Sequence, residues 1–367
     1  MNWYEISNID KIATPALLVY PERIKLNIQR MIDISGDVNR LRPHIKTHKT
    51  AQIIKLQQQV GINKFKCATI AEAELLAKCN AKEVLLAMQP VAENINRFFQ
   101  LKEKYPNSQF STIVDDGVII QKINKVAIEK GIKVSLWLDV NVGMNRTGVK
   151  PDENACKLFK LLLEADNIIA EGFHVYDGHI RYSEFQVRKD TCDEAFEKVL
   201  LLKEKLEGEG LHVKNIIAGG SPTFPVHALR EEVDLSPGTT LLWDAGYGDL
   251  FPDMEMLHAA VLVTRIISKP SDGVLCLDLG HKSLASEMNF PRVKFLNTDD
   301  FEQIGQSEEH FVVHTNNSDA YKVGDIFYAL PMHICPTVAK YQELQVVENN
   351  VVAKTWEVVA RNQKITI

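Results

Sequence analysis

Between residues 14 and 225, short apolar runs of β type alternate with longer stretches of helical period. The β-type runs read "PALLVY", "RLRPHIK", "KFKCAT", "EVLLAM", "QFSTIVD", "KVSLWLDV", "AEGFHVYDG" and "KNIIAGG". Branched and aromatic residues fill them, and polar or turn-forming residues bound them, as expected of buried strands. Between them lie segments such as "IAEAELLAKC" and "EAFEKVLLLKEKLEGEG". The spacing Thr69-x-x-Glu72 is that of a capping box, which predicts a helix start there. Eight strands each followed by a helix predict an α/β fold, a parallel (β/α)8 barrel. A doubly wound sheet alternates in the same way, but no G-x-G-x-x-G follows the first strand, which disfavours a dinucleotide site.

Beyond about residue 255 the helical period disappears. "HAAVLVTRIISK", "GVLCLDLG", "EHFVVHT", "GDIFYALPMHICPTV", "ELQVVENNVVAKTWEVVA" and "KITI" are separated by turn signals such as "PSDG", "TNNSD" and "ENN". This pattern predicts an antiparallel β-domain. The expected organisation is a barrel over residues 14–252 and a β-rich C-terminal domain over 253–367, joined by residues 1–13.

Composition narrows the function. The 367 residues carry a net charge of −6 with no face-sized excess of Lys and Arg, which argues against a nucleic-acid partner. No apolar run approaches the roughly 20 residues of a membrane helix. "MNWYEISNID" lacks the basic and apolar regions of a signal peptide. The six cysteines are scattered without a C-x-x-C pair, as in reduced proteins. A cytoplasmic protein binding a small molecule is the expectation.

The candidate chemistry gathers at strand ends, which converge on the active site of a barrel. In "LRPHIKTHKT", strand alternation places His44, Lys46 and His48 on one face. Beside Arg42 and the histidines, like charge and desolvation favour the free amine of Lys46, the form a Schiff base requires. A phosphate-positioning or surface lysine is the plainer alternative, and Lys49 the rival nucleophile. Arg146 follows the sixth strand in "DVNVGMNRTGV", where it and Asp139 could equally form a structural ion pair. "HVYDGH" presents His174 and Tyr176 on one face, with Asp177 and His179 at the turn, for proton transfer or ring stacking; satisfied core residues are the alternative. In "AGGSPTF", Gly219 and Gly220 permit close backbone approach to a phosphate and Ser221 adds a donor, unless the segment is a simple turn. In "HICPT", His333 and Cys335 lie two apart on an expected strand, a spacing that suits bidentate zinc ligation.

Taken together, "TPALLVY", "RPHIKTHK", "VGMNRTGV", "VYDGH", "GGSPTF", "SPGTTLLWDAGYG", "SEEH" and "HICPT" span residues 14 to about 340. In this order they resemble the D-threonine aldolase and D-serine dehydratase family, pyridoxal phosphate (PLP) enzymes with an alanine-racemase-like barrel. The resemblance implies that Lys46 forms the covalent imine with PLP and that Arg146 faces the pyridine nitrogen. It counts His174, Tyr176, Gly219, Gly220, Ser221 and Tyr247 as cofactor-binding, and His179 with Lys46, His333 and Cys335 as catalytic. It also implies a divalent metal on His333 and Cys335: zinc by the thiolate, manganese or magnesium as alternatives. The implied substrates are D-β-hydroxy amino acids, and the implied assembly is a homodimer. "VGMNRTGV", "VYDGH" and "GGSPTF" look nearer the aldolase branch, which cleaves to glycine and an aldehyde. Cys335 matches the dehydratase branch, which converts D-serine to pyruvate and ammonia. An amino-acid racemase, a non-catalytic PLP-binding protein and a protein-interaction module are the further alternatives.

Overall fold

A computed structural model describes residues 2–367. The chain divides into two compact units. One comprises residues 31–46, 54–238 and 362–367; the other comprises residues up to 30, 47–53 and 239–361.

The first strand, β1 (Ala16–Val19), belongs to the second unit, so "PALLVY" is not a barrel strand. It pairs antiparallel with one later strand, Leu18 opposite Val261, and parallel with another, Leu18 opposite Gln345. All four residues are buried. A run apolar on both faces satisfies any central strand, and nothing local says which sheet will take it.

The barrel unit is built from β2 (Lys64–Cys67), β3 (Glu83–Leu86), β4 (Gln109–Val114), β5 (Val134–Val140), β6 (Ile168–Val175), β7 (Asn215–Ala218) and β8 (Val233–Leu235). All neighbouring pairs are parallel, in sequence order. The segment 41–45 links the two edges of this curled sheet through isolated bridges, Leu41 with Leu235 and His44 with Lys66. The Arg42 N–H donates to Leu235 O at 2.8 Å, and the Ile45 N–H to Lys66 O at 3.0 Å. β8 is three residues long within the polar run "REEVDLSP", too short for a periodic signal.

Helices between the strands start where side-chain acceptors are available. Thr69 accepts from the Glu72 N–H at 3.1 Å, while the Glu72 carboxylate accepts from the Ala68 N–H at 2.6 Å, so the predicted cap forms. Asp116 caps the next helix but one through the Ile119 N–H. Inside the barrel, Leu85, Ile113, Trp137 and Ile217 make a buried cluster, one inward layer of alternate residues.

The second unit holds a mixed, mostly antiparallel sheet. Its later strands are β9 (Ala260–Ser271), β10 (Val274–Leu277), β11 (Val293–Phe295), β12 (Glu302–Gln306), β13 (Phe311–His314), β14 (Ile326–Pro331), β15 (Glu343–Glu348) and β16 (Val351–Glu357). The order β12-β13-β10-β9-β1-β15-β16 is joined by β14, which pairs with β9 and β11. Tyr4, Leu18, Tyr20, Val261, Val263, Tyr328 and Leu330 pack its core. Among the described residues no helix is long and apolar enough to cross a membrane.

Candidate active site

In the barrel unit a cavity of about 510 Å³ is lined by His44, Lys46, Lys66, Asp139, Arg146, His174 and Tyr176, with apolar neighbours such as Ile113 and Val114. Several of these stand at or just beyond the C-terminal ends of strands, where barrels place their chemistry. Four of the predicted residues, Lys46, Arg146, His174 and Tyr176, line this cavity.

Lys46 does not continue a strand. Residues 45–48 form a turn, so alternation ends at His44, whose Nδ1 accepts from the Lys46 N–H at 3.2 Å. His48 is consequently not a face-mate of Lys46. It is fully buried, and burial first, then the charge of Lys49, pushes it down to about 3. Lys49 belongs to the other unit and takes a left-handed backbone, φ 53°. Arg42 is also removed from the expected cationic crowd, since its guanidinium pairs with Glu83 at 2.8 Å and Asp234 at 3.2 Å.

Asp139, on β5, pairs with His174 rather than with Arg146. Its Oδ1 lies 2.7 Å from His174 Nδ1, and both residues are buried. Burial, reinforced by the charge of Lys66, keeps His174 below its ordinary range despite the pull of Asp139. Burial by itself would raise the Asp139 carboxyl, but hydrogen bonds from His174 and Thr147 and the charge of Lys66 outweigh it and hold it low. The imidazole is thus neutral, with Nδ1–H donating to the carboxylate. Its Nε2 is buried without a hydrogen-bond partner among the described residues. Arg146 is exposed on the loop after β5, its guanidinium 4.8 Å from the Tyr176 ring centroid.

The turn at Gly219–Ser221 follows β7. Gly219 has φ +79°, and a Cβ on Gly220 would come within 2.9 Å of Tyr176 Cε2. Only glycine leaves this cradle open beside the tyrosine ring. Ser221 Oγ accepts from the Gly238 N–H at 3.1 Å.

A buried network holds the turn from behind. The Gly220 N–H donates to Thr223 Oγ1 at 3.3 Å, and the Thr223 hydroxyl donates to Asp177 Oδ1 at 2.7 Å. Asp177 Oδ2 lies 2.7 Å from His227 Nε2. Arg230 donates to His227 Nδ1 at 3.0 Å. Because arginine can only donate, the imidazole proton sits on Nε2, directed at Asp177. Asp177, Cys192 and His227 are close enough to share an ion. However, burial and the Asp177 charge push the Cys192 thiol up to about 12, and it stays protonated beside partners already engaged with each other. Asp177 therefore acts on the turn and not as a proton shuttle.

Lys66 escaped the sequence reading, which took "KFKCAT" only as a strand. It is 4% exposed and lines the cavity. Burial first, then the charges of Lys46 and Arg146, push it down to about 7 against the opposing carboxylates Asp139 and Asp177. The available signal was a lysine, Lys66, between the apolar Phe65 and Cys67 at the end of a four-residue strand.

His179 is exposed and outside the cavity lining; a Cβ at Gly143 would stand 2.8 Å from its Nε2. Tyr247 belongs to the other unit, in the short helix Ala245–Leu250, its ring between Trp243 and Phe251.

The His333–Cys335 pair lies in that second unit, at the start of a helix (Ile334–Val338) rather than on a strand. His333 is the extended cap residue, φ −141°, so the strand alternation expected for H-x-C does not apply. The two side chains still stand close enough for each to shift the other's titration. Asp244 fixes the segment by accepting from the Ile334 N–H at 3.0 Å and the Tyr247 N–H at 2.9 Å. Burial would raise the Cys335 thiol, but His333 outweighs it and draws it below its ordinary value, toward thiolate. Cys335 Sγ also lies 3.1 Å from Thr47 Oγ1.

The residues present fit both groups that the resemblance implies. An orphaned imidazole nitrogen, two lysines and an arginine surround the barrel cavity, which a phosphorylated, acceptor-rich aldehyde would satisfy. In the second unit, His333 Nδ1 lies 2.6 Å from Glu287 Oε1. A carboxylate behind the imidazole is the usual support of a metal-ligating histidine.

Comparison with known proteins agrees with this geometry. Residues 19–243 match the family described as alanine racemase, N-terminal domain, and residues 259–347 match a serine dehydratase domain. The chain is 27% identical to a 3-hydroxy-D-aspartate aldolase of Paracoccus denitrificans, covering 96% of this chain and 93% of that one. It is 23% identical to a D-threonine aldolase of an Arthrobacter species, covering 96% and 93%. It is 24% identical to a D-serine dehydratase of Dictyostelium discoideum, covering 94% and 95%. The crystal structure of D-threonine aldolase from Filomicrobium marinum superposes with a TM-score of 0.88 at 25% identity, covering 97% of each chain. With a parallel barrel, a lysine-bearing cavity and these relatives, the chain belongs to the alanine racemase N-terminal domain family, among its PLP-dependent D-amino acid aldolases and dehydratases.

Proposed function

We propose that this protein is a PLP- and divalent-metal-dependent lyase of D-β-hydroxy amino acids, cleaving the Cα–Cβ bond to give glycine and an aldehyde. The observation that carries the reading is the His333–Cys335 pair backed by Glu287. An amino-acid racemase needs acid and base groups but no such ligand set, and neither does a non-catalytic PLP carrier.

Lys46 would supply the amine for the cofactor's aldehyde, Tyr176 and Arg146 would hold its ring, and the Gly219–Ser221 turn would receive its phosphate. PLP, when bound, supplies an electron sink for the pair released as a bond to the substrate's α-carbon breaks. A divalent metal, which His333 and Cys335 would hold, would supply Lewis acidity to lower the pKa of a substrate hydroxyl. The chain's own residues do the rest. Asp139 keeps His174 in one tautomer, so that its bare Nε2 faces the site as an acceptor. Arg146 offers hydrogen-bond donors and no acceptor, so it orients an anionic or acceptor group. Asp177, through Thr223, holds the glycine turn in shape. A homodimer is part of this proposal, and sedimentation of the holoenzyme checks it.

The thiol at position 335 favours a second reading, dehydration, because a nitrogen and sulfur donor set selects zinc. Product analysis after reconstitution with PLP and zinc or manganese decides. Glycine with acetaldehyde from D-threonine, or with glyoxylate from 3-hydroxy-D-aspartate, supports aldol cleavage. Pyruvate and ammonia from D-serine support dehydration. Turnover that survives a chelator without loss overturns both.

A further inference from the structure

We propose that Lys66 is an oxyanion-binding residue of the barrel cavity, its amine reserved for a negatively charged oxygen of whatever the cavity holds. This rests on the reading of that cavity as a PLP site.

The position is an inward one. Lys66 is the register partner of Leu85 on β3, a member of the buried layer inside the barrel. Neighbouring residues at one register level project to the same side of a sheet, so the lysine stem enters the same interior. Its main chain is committed, with its N–H donating to Pro43 O and its C=O accepting from the Ile45 N–H, both at 3.0 Å. The ammonium makes no hydrogen bond or ion pair among the described residues. It stands 5.6 Å from the Tyr176 ring centroid, a weak contact for a charge that is 4% exposed. Lys64, two residues earlier, lies 3.4 Å from an Asp234 carboxylate oxygen, as a half-buried lysine ordinarily would.

The groups that face Lys66 explain why no protein partner serves. Lys46 and Arg146 repel it. Asp139 and Asp177 attract it, yet each carboxylate is already engaged, Asp139 with His174, and Asp177 with Thr223 and His227. A buried amine kept in such company is costly unless something completes it. The missing partner has to carry negative charge and accept a hydrogen bond. The glycine turn accounts for a phosphate, which leaves two sources for the oxyanion: the ring hydroxyl of the cofactor, or a carboxylate of the substrate.

Lys66→Met and Lys66→Gln variants, reconstituted with PLP, separate these sources. The first readout is the pH midpoint of the bound cofactor's absorbance change. The second is the spectrally measured affinity for D-serine and for 3-hydroxy-D-aspartate. If the ring oxygen is the partner, the midpoint shifts by about one pH unit or more in both variants, and Lys66→Arg restores much of it. If a substrate side-chain carboxylate is the partner, the midpoint holds. Affinity for 3-hydroxy-D-aspartate then falls about tenfold or more relative to D-serine, the worth of one charge-assisted hydrogen bond. A substrate α-carboxylate would weaken both ligands equally with the midpoint unmoved. Wild-type midpoint and affinities in a Lys66→Gln holoprotein overturn the proposal while sparing the cofactor reading. Wild-type protein that takes up no PLP overturns the cofactor reading itself, and the proposal with it.

Discussion

Replacing Asp177 with asparagine tests the claim that one buried carboxylate shapes the glycine turn. In the native protein its two oxygens accept from the Thr223 hydroxyl and from His227 Nε2–H, each at 2.7 Å. An asparagine offers one oxygen and one amide donor, so either Thr223 or His227 meets a donor where it had an acceptor. Losing the charge weakens the bond that remains, and a buried group is left unsatisfied at about 1–3 kcal/mol. The expected destabilisation at neutral pH is about 3 kcal/mol. Urea unfolding of wild type and Asp177→Asn measures it, with coincident fluorescence and ellipticity transitions required before the arithmetic is applied. The pH dependence sharpens the test. Burial would raise the Asp177 carboxyl, but His227 and Thr223 outweigh it and hold it below its ordinary value. A depressed folded pKa contributes stability that is fully present above the unfolded value of about 3.9 and is lost as pH falls through the folded one. The gap between wild type and variant therefore narrows as pH falls from about 5 toward 3. A gap under about 1 kcal/mol at pH 7, or one that widens with acid, refutes the reasoning.

Two further outcomes follow from the same geometry. Glu287→Gln removes the charge behind His333 and should weaken metal binding by about 10–100-fold in chelator competition, with the fold unchanged by circular dichroism. Gly220→Ala places a methyl group 2.9 Å from Tyr176 Cε2 and should lower PLP affinity more than it lowers melting temperature; equal affinity would remove that turn from the cofactor site.

The alternation of strand and helix and the change of texture near residue 255 were legible because both are periodic over many residues. The sheet that receives Ala16–Val19 was not, since a strand buried on both faces looks alike in any sheet and its pairing is settled by residues 260–263 and 345–346. β8 was invisible at three residues. Lys46 and the His333–Cys335 pair stood out as reactive types in unusual company. Even so, the turn at 45–48 and the helix start at 334 replaced the strand geometry assumed for both. Asp177 lies 46 and 50 positions before Thr223 and His227, and only the pairing of β6 with β7 brings it against them. Lys66 was readable as an oddity, yet its register against β3 was needed to say that it points inward.

The placement of β1 bears on how the chain is made. Residues 16–19 leave the ribosome well before their hydrogen-bonding neighbours, 260–263 and 345–346, which emerge more than two hundred residues later. Until those partners emerge this tetrapeptide is an apolar ribbon with both edges bare, a natural docking point for a chaperone. A fragment started at residue 253 would face the converse problem, with an empty slot between Leu262 and Gln345 that a stray strand could fill.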